Sequence, residues 1–534
     1  CSTGRTVFIT SKKSEVYYKM RTKSTFINLM AAFIGQGLGI LASMIARVFF
    51  VRFLTAEYLG LSNLFTNILS VFSLVELGIG PAMTFSLYEP LAHQDVEKIK
   101  SLMQLYKKAY RGVGILLLIL GVCGLSFYRF FMESVPDIPH LDLIYLLFVF
   151  NTAISYFYSY KRSLIITDQR RYIATFFRYG FYIILNIVQI FALWLTKSYL
   201  LFLLVQILFT WTENFCISKT ADRMYPYLKE KKVYPLEKKE LSRIKRDIGA
   251  MVFHKIGGLS VNSTDNIILT KFLGLVVSGV YSNYALIIQA LKMVTQQFFQ
   301  SLIASVGNLK ASAEEQKVLS VFYRILFLSF WLFSFVSIGL GILVNPFVKL
   351  WLGPEYCLDS FTAMVLAMNF FFYAVRQAVL TFRDATGTYY YDRYKPLFEA
   401  AINLVASVLL VQKWGVAGIF LGTMLGFLLT GFWVEPFVLY KHVFHCSLKG
   451  YFKKYFFYLS VALFAAWITW GASVWVGNGG LDGFILQFLI CIVVPNAIFL
   501  LVFHRTPEFV YFWELSQKLF VKVRGLLSSE RSTK

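Results

Sequence analysis

Fourteen mostly apolar runs, each roughly 17 to 28 residues long, recur along this chain of 534 residues. A run of that length crosses about 30 Å of hydrocarbon as a helix, and a helix satisfies its backbone polar groups internally where no water can. The runs lie near 27–50, 61–88, 112–132, 141–160, 173–195, 198–217, 250–271, 276–303, 321–345, 359–382, 396–412, 415–438, 455–476 and 483–504. They predict an all-α polytopic membrane protein of about fourteen transmembrane helices. With 57% apolar and only 15% charged residues, the chain falls outside the soluble enzymes, whose shares are about 45–50% and 25%.

The cations then set the orientation. On the connections that follow even-numbered runs and on both tails, or at their edges, lie 41 Lys and Arg, against six on the odd-numbered connections (Arg52, Arg129, Lys197, Lys271, Lys349 and Lys413). Positive loops stay inside, so both termini are expected in the cytoplasm of a bacterial plasma (inner) membrane protein. The widest basic connection, 218–249, carries ten cations and the helix-like stretch LEKKELSRIKRD. It reads as a solvated linker attracted to anionic headgroups. Upstream, Met20 is the expected natural start, with Cys1 to Lys19 an extension. Six scattered cysteines without a CxxC pair indicate neither a disulfide framework nor a zinc site.

Three echoes imply a duplication. Arg52-Phe53-Leu54, five residues, Gly60 is matched 219 positions later by Lys271-Phe272-Leu273, five residues, Gly279. Asn186 and Asn403 sit in similar LeuAsnIleVal and IleAsnLeuVal stretches, and ArgTyr at Arg171 is echoed at Arg393. Equivalent helices six spans apart share one orientation, which predicts two pseudo-symmetric six-helix bundles about an axis along the membrane normal, with substrate held between them. The expected organisation is an amino-terminal tail 1–24, a first bundle 25–217, a basic linker 218–249, a second bundle 250–440, two additional helices in 441–504 and a tail 505–534.

Ionisable residues inside the runs are the functional candidates, because a charge at the bilayer centre costs at least about 2.5–3.5 kcal/mol on insertion scales and needs a partner or a watery cavity. Arg47, Arg52, His254, Lys255, Lys292 and Arg376 are the candidate cavity cations for an anionic substrate. Gln36, Ser43, Glu76, Asn262, Asp265 and Asn266 are candidates for polar lining or ion coupling. Ion pairing, for example Arg47 with Glu76, is the competing structural reading. A surplus of cations favours phosphate or pyrophosphate, which Arg matches in geometry. No GxxxxGK[ST], HExxH or GxSxG occurs, the longest odd-side connection runs only from about Asn345 to Ser360, and neither cofactor, metal nor nucleic acid is called for, so a non-enzymatic role is expected. Gly35, Gly37 and Gly39 read as close-packing or bending positions.

The stretches ARVFFVRFLTAEYLGL from Ala46, ELGIGPAMTFSLYEPLA from Glu76, HKIGGLSVNSTDNIIL from His254, VYSNYALII from Val280 and FEAAINLVASVLLVQKWGVAGIFLGT from Phe398 carry a family resemblance. The chain resembles the Wzx-type polysaccharide flippases of the multidrug/oligosaccharidyl-lipid/polysaccharide exporter superfamily. The resemblance implies alternating access by paired six-helix bundles and a substrate that is an undecaprenyl-pyrophosphate-linked oligosaccharide, delivered across the bilayer for O-antigen, capsule or a similar glycan, with polymerase machinery as a further partner. It places cationic cavity residues at Arg47, Arg52 and Lys255. The lipid II flippases share the superfamily and the fourteen spans and are the nearest alternative; multidrug cation antiporters are more distant.

Overall fold

The computed structural model describes residues 30–76, 78–230, 233–476 and 480–518, with positions 74, 75, 247, 249–263, 304, 311 and 389 described as backbone only. The first 29 residues, including the expected start at Met20, lie outside the described residues. No strand occurs among the described residues. The helices are α1 (Met30–Phe53), α2 (Ala56–Phe72), α3 (Ile79–His93), α4 (Val96–Gly124), α5 (Leu141–Thr167), α6 (Arg171–Thr196), α7 (Tyr199–Met224), α8 (Lys238–Ser312), α9 (Glu315–Leu352), α10 (Ser360–Thr386), α11 (Lys395–Leu429), α12 (Gly431–Leu439), α13 (Lys449–Val476), α14 (Gly480–Phe503) and α15 (507–518). The protein is an all-α polytopic membrane protein.

Ten described helical segments are long and apolar enough to cross a membrane. One of them, Lys395–Phe444, holds two of the fourteen runs, and Thr264–Lys310 holds one together with the end of another. At Trp414–Gly415 the φ/ψ angles leave the helical region. Beyond this break Asn403 Nδ2 donates to Thr423 Oγ1 at 2.9 Å and Ser407 Oγ to the Ile419 carbonyl at 2.9 Å. A straight helix would hold the first pair about 30 Å apart, so the chain doubles back. Likewise Gly274 has φ 84°, and Thr270 Oγ1 bonds Ser278 Oγ at 3.1 Å across it. The run at 112–132 is not one helix: it covers the end of α4, which stops at Gly124 and carries Lys107, Lys108 and Arg111 in its earlier turns, and a 3₁₀ turn at Tyr128–Phe131.

The second run corrects an expectation: 61–88 is not one helix. It is α2, a 3₁₀ turn at Ser73–Glu76, and α3, separated at Gly78. Gly78 has φ 91°, and a Cβ there would lie 2.5 Å from the Ile248 carbonyl oxygen of α8, so only glycine permits both the turn and the approach. Helices also extend beyond the apolar runs at polar ends. Asp95 caps α4, accepting from Lys98 N at 3.0 Å, and α8 begins within the basic 218–249 segment at Lys238.

The chain divides into two compact units, 1–279 and 280–534. In the first unit, one core gathers Phe50, Leu61, Phe65, Tyr128, Tyr145 and Leu193, and another gathers Met83, Leu102, Tyr106, Leu164 and Ile217. In the second unit Phe322 packs edge-on against Phe382, and Phe330 packs similarly against Tyr455.

Candidate functional site

On α1 the polar residues rise at helical spacing. Ser43 Oγ donates to the Gly39 carbonyl at 3.0 Å and meets Tyr182 Oη of α6 at 2.5 Å. One turn on, Arg47 is half-buried and within electrostatic reach of the same Tyr182. Gly35 and Gly39 bracket the Tyr179 ring: a Cβ at either would lie 2.4 or 2.9 Å from a ring carbon. These two glycines are packing positions, while Gly37 has no neighbour within 4 Å of a Cβ. Gln36 is half-buried one turn before Gly39, and Arg52 is exposed near the end of the helix.

Where α2 meets α8, three amides donate in a ring. Asn63 Nδ2 donates to Asn266 Oδ1 at 3.2 Å, Asn266 Nδ2 to Asn67 Oδ1 at 3.3 Å, and Asn67 Nδ2 back to Asn63 Oδ1 at 3.0 Å. Asn63 also donates to Ser278 Oγ at 3.1 Å. Next to this ring lies the contact that the sequence echo foreshadows. A Cβ on Gly60 would sit 1.9 Å from the Leu275 carbonyl oxygen, and one on Gly279 would sit 2.0 Å from that of Ala56. Ala56 and Leu275 are themselves 219 positions apart, as are Gly60 and Gly279, so the two halves of the contact are repeat-equivalent. Glycine at both places lets the backbones touch.

Of the remaining candidates in this unit, Asp265 is buried on α8. Glu76 sits on the 3₁₀ turn and accepts from Tyr110 Oη at 3.3 Å. His254, Lys255 and Asn262 belong to α8, and their side chains lie outside the described residues.

The second unit collects charges instead. Arg376 on α10 donates from Nη1 and Nη2 to Glu399 of α11 at 2.8 and 3.0 Å, and from Nε and Nη2 to Glu435 of α12 at 3.0 and 2.7 Å. Lys395 pairs with the same two carboxylates, 3.0 Å from Glu399. Two cations and two anions thus neutralise one another, with Glu435 only 1% exposed. Arg383 continues the chain to Asp392 and Asp384, both at 3.0 Å. Arg376, expected as a cavity cation, is committed here to two carboxylates, and an incoming phosphate would have to displace both. Lys292 lies 4.8 Å from the centre of the Tyr373 ring, one turn from Arg376.

Several of these groups escaped the sequence reading: Tyr182, Asn63, Asn67, Ser278, Lys395 and Glu399. Only the four-residue spacing of Lys395 and Glu399 was a readable signal. Two further ion pairs join α5 to α7: Lys161–Asp222 at 2.8 Å and Arg162–Glu213 at 2.5 Å. Chemically, the α1–α6 face offers hydroxyls beside a guanidinium, a set that suits sugar hydroxyls and phosphate oxygens. The α10–α12 cluster offers its charges to itself.

No protein-family model matches the chain, and no curated protein matches it in sequence. Solved structures do match in fold. The lipid II flippase MurJ in an inward closed conformation superposes with TM-score 0.60 at 13% identity, covering 90% of this chain and 99% of the flippase. An inward-facing multidrug resistance transporter of the MATE family and MOP superfamily gives 0.61 at 13% identity, covering 76% of this chain and 94% of its own. A MOP superfamily transporter from Pyrococcus furiosus, described by a reverse-polarity binding pocket, gives 0.51 at 13% identity over 79% and 96% of the two chains. The chain therefore has the fold of the MOP superfamily transporters.

Proposed function

We propose that this protein is a flippase that moves an undecaprenyl-pyrophosphate-linked oligosaccharide from the inner to the outer leaflet of a bacterial plasma membrane, by alternating access, for assembly of a surface polysaccharide. The observation that carries the reading is the reach of the fold correspondence: it spans 90% of this chain with the lipid II flippase but 76% with the inward-facing multidrug transporter. A polar, pyrophosphate-bearing head cannot cross hydrocarbon unaided, so its carrier must present cations and hydroxyls in an apolar setting while the lipid tail stays in the bilayer. Arg47 beside Ser43 and Tyr182 supplies such a set. Lys255 and Arg52 are assigned to the same substrate, and Asn266 and Asp265 to its polar lining. Lys292 is assigned to the same binding role, whereas Arg376 would have to exchange its carboxylates to join it.

The test is translocation in proteoliposomes loaded with a fluorescent undecaprenyl-pyrophosphate oligosaccharide, read by accessibility of the sugar on the far leaflet. Arg47→Ala and Lys255→Ala should each slow translocation by about tenfold or more while expression and insertion stay normal, since a charge-assisted contact contributes about 1.5–3 kcal/mol. Near-parental rates in both variants reject the reading. The lipid II flippases are the alternative, and the same assay run with lipid II distinguishes them: faster movement of lipid II than of the oligosaccharide lipid would reverse the order.

A further inference from the structure

The first turns of α8 form a basic face that the proposed transport function does not use. Lys239, Arg243 and Arg246 recur at four- and three-residue spacing, which puts them on one side of the helix, and all three are exposed. The segment is docked rather than loose. Lys98 of α4 pairs with Glu240 at 3.0 Å, the Arg243 guanidinium lies 5.9 Å from the centre of the Phe85 ring on α3, and Gly78 receives the backbone at Ile248. Between α4 and this face opens a cavity of about 560 Å³ lined by Lys98, Glu237, Lys239, Glu240, Arg243 and Arg246 among others.

Several inward cations elsewhere are met by carboxylates. Lys100 meets Glu97 and Glu230 at 2.7 and 2.8 Å, and Lys161, Arg162 and Arg376 each have theirs. Here, among the described residues, Lys98, Lys239, Arg243 and Arg246 line an open space together with Glu237 and Glu240, and Glu240 is bound to Lys98. An anion completes such a site. The segment leads directly into a membrane-crossing helix, where the anions at hand are phosphate diesters of lipid headgroups.

We propose that the cavity between α4 and the first turns of α8 binds the phosphate of an anionic phospholipid headgroup, with Lys239 and Arg246 as its principal ligands and Arg243 beside them. This site is separate from the α1–α6 face and holds whether or not the flippase reading does.

The test uses the purified full-length protein in neutral detergent, with short-chain phosphatidylglycerol as probe, short-chain phosphatidylcholine as the neutral comparison, and binding read from the shift in melting temperature on titration. Two double variants remove the same charge from different faces: Lys239→Gln with Arg246→Gln on the proposed face, and Lys238→Gln with Lys245→Gln on another. The first should weaken phosphatidylglycerol binding by about tenfold or more and the second by less than about threefold, since each juxtamembrane cation is worth about 1 kcal/mol. Phosphatidylcholine should give no saturable shift. Equal weakening in the two double variants would mean diffuse attraction to net charge and would overturn the site. Inorganic pyrophosphate at matched ionic strength is the third arm; a saturable, face-specific shift with it but none with phosphatidylglycerol would overturn the lipid assignment in favour of a free phosphate. Melting temperatures without ligand check that every variant is folded.

Discussion

The α2–α8 contact of the first unit and the α10–α12 cluster of the second both bury polar groups, but the first does it with amides, hydroxyls and glycine and the second with full charges. Each hydrogen bond in the amide ring is worth little in an apolar setting, on average about 0.6 kcal/mol and at most about 1.7, because the unpaired groups find other partners. The ring and the touching backbones at Gly60 and Gly279 can separate at modest cost. The charged cluster cannot. Removing one member strands the others in a region where a lone charge is expensive, so α10, α11 and α12 are held as one body.

The largest expected effect follows from stranding those charges. Arg376→Ala leaves Glu399 and Glu435 facing Lys395 alone, and removal of one partner from a buried pair costs about 3–5 kcal/mol. The expected outcome is a large drop in melting temperature and in folded yield by size-exclusion chromatography in detergent. A melting temperature within a degree or two of the parent would mean that water reaches the cluster and that the contrast with the first unit is not one of burial. Next in size is Gly60→Leu. Its side chain would have to displace the Leu275 carbonyl, which overpacking data price at about 1–3 kcal/mol. Gly279→Leu strikes the other half of the same contact, so the double variant should cost less than the two singles together. Gly37→Leu, in open space, should stay within about 0.5 kcal/mol of the parent. If Gly37→Leu costs as much as Gly60→Leu, the loss does not come from the close approach, since helix propensity alone would favour leucine over glycine at both positions.

How much of this was legible follows from the range of each interaction. Helices were readable because an apolar run of sufficient length has one stable conformation in lipid, and the sharp turn at Trp414–Gly415 fell where two runs met. The break at Gly78 was hidden, since glycine in an apolar run looks the same whether it bends the chain, packs a helix or does neither; what singles out Gly78 is Ile248, 170 positions away. Arg376 shows the limit for the site. An arginine in an apolar run signals that something must meet it, but whether that partner is a substrate phosphate or Glu435 depends on how α10 and α12 pack. Asn63 and Asn67 were missed for a related reason: neutral amides raise no alarm in a hydrophobic run, and their partners come from α8, about 200 residues on.

The amide ring provides a smaller and more discriminating measurement. Asn63→Leu removes two donations, to Asn266 and Ser278, and at intramembrane values should cost about 1–2 kcal/mol. In a double-mutant cycle with Asn266→Leu the coupling should be near the value of one hydrogen bond, about 0.6 kcal/mol, far below any coupling between Arg376 and Glu435. A coupling above about 2 kcal/mol would put the ring in the same class as the charged cluster and remove the reason to regard the α2–α8 contact as separable.

Smallest among the broken contacts should be Lys98→Gln at the basic end of α4. Its hydrogen bond to Glu240 holds the ammonium above the usual lysine value, burial opposing slightly, so the group is one whose folded-state pKa is raised. Such a pair stabilises fully below the ordinary lysine pKa, about 10.4, and loses its contribution only as pH rises through the folded value. Because the pair is partly exposed, its worth is about 0–1 kcal/mol and is screened by salt. The melting difference between parent and variant should therefore be small and flat on the lysine side from about pH 6 to 9, shrinking in high salt and above about pH 10.5. A difference that grew with pH over that neutral range would mean that a group other than the Lys98 ammonium governs how the first turns of α8 dock on α4.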